Sequence, residues 1–144
     1  MTLFLDTSAL VKLYLDEPGS DSIRERITES TVALSHLAYG EIYATFARRF
    51  RESLLNEDEH NAVCTAFEED WIAVFRVPLS TEVLSLVPAL CRRYPLRGAD
   101  ALHLASALML VEREIDVTFV SSDRRQLEAA TAEGIGTLDP AVPS

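Results

Sequence analysis

The sequence has 144 residues, of which 48% are hydrophobic, and its formal net charge is -10. The length suits one compact domain, and the hydrophobic content excludes an intrinsically disordered chain. The negative charge argues against a protein that coats DNA, because such proteins displace counterions with Lys and Arg. No segment reaches the roughly 18 apolar residues of a membrane span, and the N-terminus lacks the basic region of a signal peptide, so we expect a cytoplasmic protein without membrane contact.

Hydrophobic spacing predicts strands that alternate with helices along the chain. The first half contains a strand at Thr2–Leu5, helices near 9–14 and 23–27, a strand at Thr31–Leu34 and helices near 36–51 and 57–70. The second half contains a strand at Trp71–Val77, helices near 81–90 and 99–112, a strand at Val117–Val120, a helix near 124–133 and a strand at Ile135–Leu138. This alternation is typical of an α/β fold whose parallel sheet is covered by helices on both faces.

Several polar residues predict where the helices begin. Ser35 and Ser80 are suitable N-caps, and Asn56 followed by Glu59 forms a capping box. Pro88 lies inside a predicted helix and implies either a kink or a later helix start. We expect a single domain over residues 1–139, followed by a loose tail at 140–144.

Four acidic residues stand near strand ends or helix starts. Asp6 directly follows the first strand, and Asp123 follows the fourth. Asp100 lies in the first turn of an apolar helix, and Glu41 in the second turn of the helix after the second strand. In parallel α/β sheets, ligands bind beyond the carboxyl ends of the strands, where these four side chains can meet.

Each acid also has a purely structural interpretation. Asp6 can cap a helix, Asp123 with Gln126 fits a capping box, and Asp100 can complement a helix N-terminus. Glu41 can be an exposed side chain, although its position on a mostly apolar helix face favours a buried carboxylate that needs a partner or a metal.

A carboxylate cluster without a nearby lysine suits a hard cation such as Mg²⁺ or Mn²⁺, which activates water for phosphoryl displacement. Thr7, Ser8 and Ser122 either support this site with hydroxyl groups or only cap helices. The rival chemistry is metal-free acid–base cleavage by histidines, but none of the three histidines has an obvious histidine partner. His103, one turn after Asp100, is expected to be packed or to orient that acid.

Four segments together resemble one protein family, the PIN domains, and within it the VapC-type toxins of toxin–antitoxin pairs. They are LFLDTSALVKLYLDEPGS, SHLAYGEIYATFAR, LRGADALHLASAL and FVSSDRRQLEAA. Each contains one of the four acids, and they occur in the family's order. The resemblance covers nearly the whole chain.

The resemblance implies a three-layer α/β/α sandwich with a mainly parallel central sheet. It implies that Asp6, Glu41, Asp100 and Asp123 form a catalytic metal site, with Asp6 and Asp100 as the first candidates for direct ligands. It further implies Mg²⁺- or Mn²⁺-dependent RNA hydrolysis that leaves a 3′-hydroxyl and a 5′-phosphate, a homodimer, and a cognate antitoxin.

Arginine clusters suggest where RNA would lie, because guanidinium groups form forked hydrogen bonds with phosphates. The candidates are Arg92, Arg93, Arg97 and Arg124, although such clusters are also typical of solvated helix surfaces. Three alternative functions remain: a housekeeping nuclease of RNA processing without an antitoxin, a non-catalytic PIN domain that binds RNA or a partner, and a receiver-like signalling module. Only one acid follows the first strand, which disfavours the last.

Overall fold

The computed structural model describes residues 1–143 and has a five-stranded sheet at its centre. The strands are β1 (Thr2–Leu5), β2 (Thr31–Ser35), β3 (Phe75–Val77), β4 (Val117–Val120) and β5 (Gly136–Leu138). Their order in the sheet is β3-β2-β1-β4-β5, and every neighbouring pair is parallel. The predicted α/β class with a parallel sheet is confirmed.

The described residues form seven α-helices. They are α1 (Thr7–Leu10), α2 (Ser20–Arg26), α3 (Leu37–Arg51), α4 (Glu57–Trp71), α5 (Thr81–Arg93), α6 (Gly98–Glu112) and α7 (Arg124–Ala132). Short 3₁₀ turns extend α1 and α2 over Val11–Leu13 and Ile27–Glu29. Within residues 1–143, no helix has the length and apolar character needed to cross a bilayer.

The two faces of the sheet carry separate hydrophobic cores, because successive strand residues point in opposite directions. Phe4 and Phe119 stack with ring centroids 5.7 Å apart on the face covered by α5, α6 and α7. Leu3 and Leu5 pack on the other face with buried residues of α1 to α4. Helices therefore cover both faces, which confirms the three-layer arrangement implied by the family resemblance.

The third strand is shorter than predicted. Trp71 does not begin it but ends α4, and only Phe75–Val77 pairs with β2. The centroid of the Trp71 ring lies 5.7 Å from that of Phe67 in the same helix and 5.1 Å from that of Tyr39 in α3. These aromatic contacts favour the helical position of Trp71. The strand was predicted to begin at Trp71 from the β propensity of its residues, which does not include contacts with other elements.

The predicted helix caps agree with the structure except at Ser35, which is the last residue of β2 and not the N-cap of α3. Its hydroxyl nevertheless accepts a hydrogen bond from the Leu37 amide at 3.1 Å. Asn56 caps α4 through a complete capping box with Glu59. Ser80 accepts a hydrogen bond from the Val83 amide, and α5 continues through Pro88.

The segment predicted to be a tail begins with a packed residue. Pro140 is buried, and its backbone lies against Gly19, which has a φ of 94°. A Cβ atom at position 19 would lie 2.7 Å from backbone atoms of Pro140 and Ala141, so this position requires glycine. Ser144 lies outside the described residues.

Candidate active site

The sheet places Asp6 beside the segment that leads to Asp123. Leu5 of β1 pairs with Val120 of β4, so the chain continues from both strands at the same edge, into Asp6 and Ser121. β1 has β2 as its neighbour on one side and β4 on the other. The chain first adds β2 and β3 on one side of β1 and later adds β4 and β5 on the opposite side, so the strand order changes direction at β1. Ligand sites of parallel α/β proteins lie at such a change of direction, beyond the carboxyl ends of the strands.

A polar cavity of about 150 Å³ opens at this edge of the sheet. Its lining consists of Asp6, Thr7, Ser8, Glu41, Asp100, His103, Asp123 and Gln126. The fold therefore brings together all four acids that the sequence singled out. Among residues 1–143, no lysine or arginine lines the cavity, so its lining is rich in oxygen ligands and negative charge.

Asp6 is only 2% exposed and is surrounded by hydrogen-bond donors. Its Oδ1 accepts from the Ser8 hydroxyl at 2.7 Å and from the Ala9 amide at 3.0 Å, which caps α1. Its Oδ2 accepts from the Ser121 hydroxyl at 2.6 Å and from Gln126 Nε2 at 2.8 Å. Burial still raises the pKa of Asp6, because desolvation outweighs these bonds.

Glu41 is held through one of its two oxygens. Its Oε1 accepts from the Thr7 hydroxyl at 2.7 Å and lies 2.6 Å from His103 Nε2, which must carry a proton to make this bond. Burial favours the neutral acid, but the hydrogen bonds from His103 and Thr7 and the electrostatic effect of His103 together lower the pKa of Glu41. The carboxylate is therefore ionised at neutral pH.

His103 differs from its expected role. It was predicted to be packed or to orient Asp100, and it is indeed buried, but its Nε2 contacts Glu41 and lies 3.3 Å from the Thr7 hydroxyl. The helical spacing between Asp100 and His103 suggested contact, whereas the packing of α6 beside α1 and α3 directs the ring to another acid. Its buried Nδ1 has no hydrogen-bond partner within residues 1–143.

Asp100 and Asp123 combine site and capping positions. Asp100 Oδ2 accepts from the Arg97 amide at 3.2 Å, next to the start of α6. Asp123 Oδ1 accepts from the Arg125 amide at 2.9 Å and caps α7. Asp123 is therefore an N-cap as predicted, but without the predicted capping box, and both carboxylates still line the cavity.

Ser121 and Gln126 hold the acids in place through contacts that sequence spacing does not reveal. Ser121 is fully buried; its hydroxyl donates to Asp6 and accepts from the Asp123 amide at 2.9 Å. Gln126 does not complete a capping box with Asp123 but reaches Asp6 and Asp100. The neighbouring Ser122, predicted as a support, is exposed and does not line the cavity.

The predicted RNA-contacting arginines differ in their surroundings. Arg97 directly precedes α6 and Arg124 directly follows Asp123, so both flank segments that line the cavity. Within residues 1–143, neither guanidinium forms an ion pair, and neither does that of Arg92. Arg93 instead pairs with Glu133 at 3.2 Å.

The donor chemistry of the cavity fits a hard divalent cation, since four carboxylates and two hydroxyl groups line it without a cationic Lys or Arg side chain. Gln126 also lines the cavity, and its buried Oε1 has no hydrogen-bond partner among the described residues. As they stand, however, no three His, Cys, Asp or Glu side chains within residues 1–143 are grouped closely enough to hold an ion. Ligation by three acids would therefore require side-chain rearrangements.

Comparisons with known proteins agree with this architecture. The PIN domain family model matches residues 3–132. Ribonuclease VapC45 of Mycobacterium tuberculosis (strain CDC 1551 / Oshkosh) is 37% identical over 143 residues, which cover 96% of this chain and 98% of the relative.

Two solved structures have similar folds. FitAcB from Neisseria gonorrhoeae has a TM-score of 0.71 at 19% identity, covering 96% of this chain and 97% of the other. A toxin–antitoxin complex from Klebsiella pneumoniae gives a TM-score of 0.66 at 17% identity, covering 97% and 98%. The family match and the 37% identical relative show that this chain belongs to the PIN domain family, in its VapC group.

Proposed function

We propose that this protein is an endoribonuclease that uses Mg²⁺ or Mn²⁺ and acts as the toxin of a toxin–antitoxin pair. The observation that carries the proposal is the cavity at the sheet edge, which is lined by Asp6, Glu41, Asp100 and Asp123. Membership in the VapC group supports nuclease activity, since the 37% identical relative is a ribonuclease.

In this proposal the four carboxylates have two roles, cation binding and proton acceptance. Asp6 and Asp100 are the first candidates to hold the cation, with Glu41 and Asp123 as direct or water-mediated ligands. When bound, the cation supplies an acidified water and stabilises negative charge on the phosphate. Thr7 and His103 fix Glu41 through Oε1, which leaves Oε2 without a hydrogen bond within residues 1–143 and able to accept a proton. Its lowered pKa keeps Glu41 ionised for this role.

The RNA would approach along Arg97 and Arg124. Both side chains are exposed, and each lies close in sequence to an acid of the cavity. Their unpaired guanidinium groups offset the net charge of -10 locally and can bind phosphates. Arg92 extends this path in the proposal, whereas Arg93 would first have to release Glu133.

Cleavage of a labelled structured RNA tests the metal mechanism. The assay compares Mg²⁺, Mn²⁺ and EDTA, and compares the native protein with Asp6→Asn and Asp100→Asn. Asp116→Asn is a matched control, because Asp116 is exposed and directly precedes β4, at the opposite edge of the sheet. We expect metal-dependent cleavage with 5′-phosphate ends in the native and control proteins, and a loss of at least a hundredfold in the two cavity variants.

Other outcomes distinguish the alternatives. Cleavage that persists in EDTA and leaves cyclic phosphate ends would refute the metal mechanism and favour His103 acting with Glu41. RNA binding without any cleavage under all conditions, together with Mn²⁺ binding too weak to detect, would favour a non-catalytic PIN domain.

The RNA path has a separate test in the Asp100→Asn background, where binding is measured without turnover. Replacing Arg97 and Arg124 with Gln should weaken binding and reduce the salt slope by about 1.4, since each phosphate contact to a single strand contributes about 0.7. The paired control replaces Arg48 and Arg51, near the far end of α3, and should change neither quantity. Equal effects of the two pairs would contradict the proposed path.

The biological setting is part of the proposal. We propose a cytoplasmic toxin that forms a homodimer and binds a cognate antitoxin. A small neighbouring reading frame with a DNA-binding N-terminus, whose product co-purifies with this protein and blocks cleavage, would support the antitoxin. Growth unaffected by expression of the active nuclease would favour the housekeeping alternative, and a monomer by sedimentation would contradict the dimer.

A further inference from the structure

The side chain of Gln126 lies between two of the proposed metal ligands. It extends from α7, is 2% exposed, and places Nε2 2.8 Å from Asp6 Oδ2 and 3.3 Å from Asp100 Oδ1. The two hydrogens of one amide nitrogen thus bridge two carboxylates that belong to different elements of the fold.

We propose that the Gln126 amide occupies the bridging position between Asp6 and Asp100 and competes there with the divalent cation, so that cation binding displaces it. Gln126 is in this sense a positioning residue that holds the two acids together and limits cation affinity. The inference rests on the proposed function, because it assumes that the two acids bind a cation.

The orientation of the amide follows from its neighbours. Both contacts are to carboxylate oxygens, which accept hydrogen bonds, so the NH₂ group must face them and not the amide oxygen. Asp6 Oδ2 and Asp100 Oδ1 would be the oxygens that hold the cation, and the amide nitrogen already occupies a hydrogen-bonding position on each of them. The nitrogen and the cation therefore exclude each other.

The amide oxygen of Gln126 favours displacement of the amide by the cation. Gln126 Oε1 is buried and has no hydrogen-bond partner among the described residues. A buried acceptor without a donor is unfavourable, so the present arrangement satisfies only half of the amide. Once displaced, the amide is free to turn its oxygen toward a water donor, which offsets part of the two lost hydrogen bonds.

The same arrangement agrees with the absence of a preformed ligand shell among the described residues. The Gln126 amide donates to both Asp6 and Asp100, and residues 1–143 contain no group of three potential ligands at metal spacing. Asp6 keeps its bonds to Ser121, Ser8 and Ala9 when the amide leaves, so the carboxylate stays in place.

Mn²⁺ binding to the whole protein, measured by electron paramagnetic resonance and calorimetry, tests the inference without any activity readout. Gln126→Met keeps the approximate length but has no donor, and Gln126→Asn keeps an amide that is one carbon shorter. Glu128→Met is the control, because Glu128 is an exposed residue of the same helix that does not line the cavity. Thermal unfolding in EDTA and circular dichroism report whether each variant is folded.

We expect both Gln126 variants to bind Mn²⁺ about tenfold more tightly than the native protein, since the cation no longer displaces a charge-assisted hydrogen bond. They should also unfold at a lower temperature in EDTA, whereas the control should match the native protein in Mn²⁺ affinity. Unchanged or weaker binding in folded Gln126 variants would overturn the inference while leaving the metal site intact. Failure of the native protein to bind Mn²⁺ would refute the proposed metal site itself.

Discussion

Replacing Ser121 with Ala should destabilise the protein far more than replacing its neighbour Ser122. The Ser121 hydroxyl donates to the buried Asp6 carboxylate at 2.6 Å and accepts from the Asp123 amide at 2.9 Å. It thereby connects the acid after β1 to the acid after β4. Ser122 is exposed, and its side chain makes no hydrogen bond within residues 1–143.

The size of the effect follows from the two lost contacts. A hydrogen bond to a charged group contributes about 1.5–3 kcal/mol, and a backbone amide without an acceptor costs about 1 kcal/mol when it is half-buried. Asp6 retains three other donors, so we take the lower part of this range and expect a loss of about 3 kcal/mol. For a domain of this size, that loss lowers Tm by roughly 10 °C.

Urea and thermal unfolding in EDTA at pH 7 measure the loss for Ser121→Ala, with Ser122→Ala as the matched control. The control should stay within about 0.5 kcal/mol of the native protein. In an Asp6→Asn background, the cost of Ser121→Ala should fall to less than half, because the charged acceptor is gone. A loss below about 1 kcal/mol, or the same loss in both backgrounds, would refute the link between Ser121 and Asp6.

Three further changes test other parts of the structure by unfolding measurements. Tyr39 and Tyr43 donate to Glu68 and lower its pKa, so its stabilisation is present above the ordinary glutamate pKa and is lost as the pH falls through the folded-state value. The Tm deficit of Glu68→Gln should therefore shrink below about pH 4.3, and a constant deficit would contradict this assignment. Leu104→Ala removes a fully buried side chain from α6 and should cost about 3 kcal/mol; a cost under 1 kcal/mol would mean that the core is not packed as described. Asn56→Ala removes the cap of α4 and should cost about 1 kcal/mol, whereas Asp58→Asn, in the same first turn, should cost less.

Much of the fold was predictable because local patterns specified it. The bounds of β1 and β4 were predicted to the residue, since short apolar runs ending at polar residues identify buried parallel strands. The capping box at Asn56 was equally clear, because both of its members lie within four residues. Trp71 was misassigned because its aromatic partners come from α3 and from its own helix, and strand propensity does not include them.

The sequence by itself determined the four acids and the edge of the sheet where they meet, because each acid follows a strand or lies in the first two turns of a helix, and parallel strands share one carboxyl edge. Only the tertiary structure decided which groups hold those acids. Ser121 meets Asp6, His103 meets Glu41, and Gln126 bridges two carboxylates, over separations of 115, 62, 120 and 26 residues. Such contacts depend on strand register and on how α6 and α7 pack on the sheet, which residue spacing along one helix does not specify.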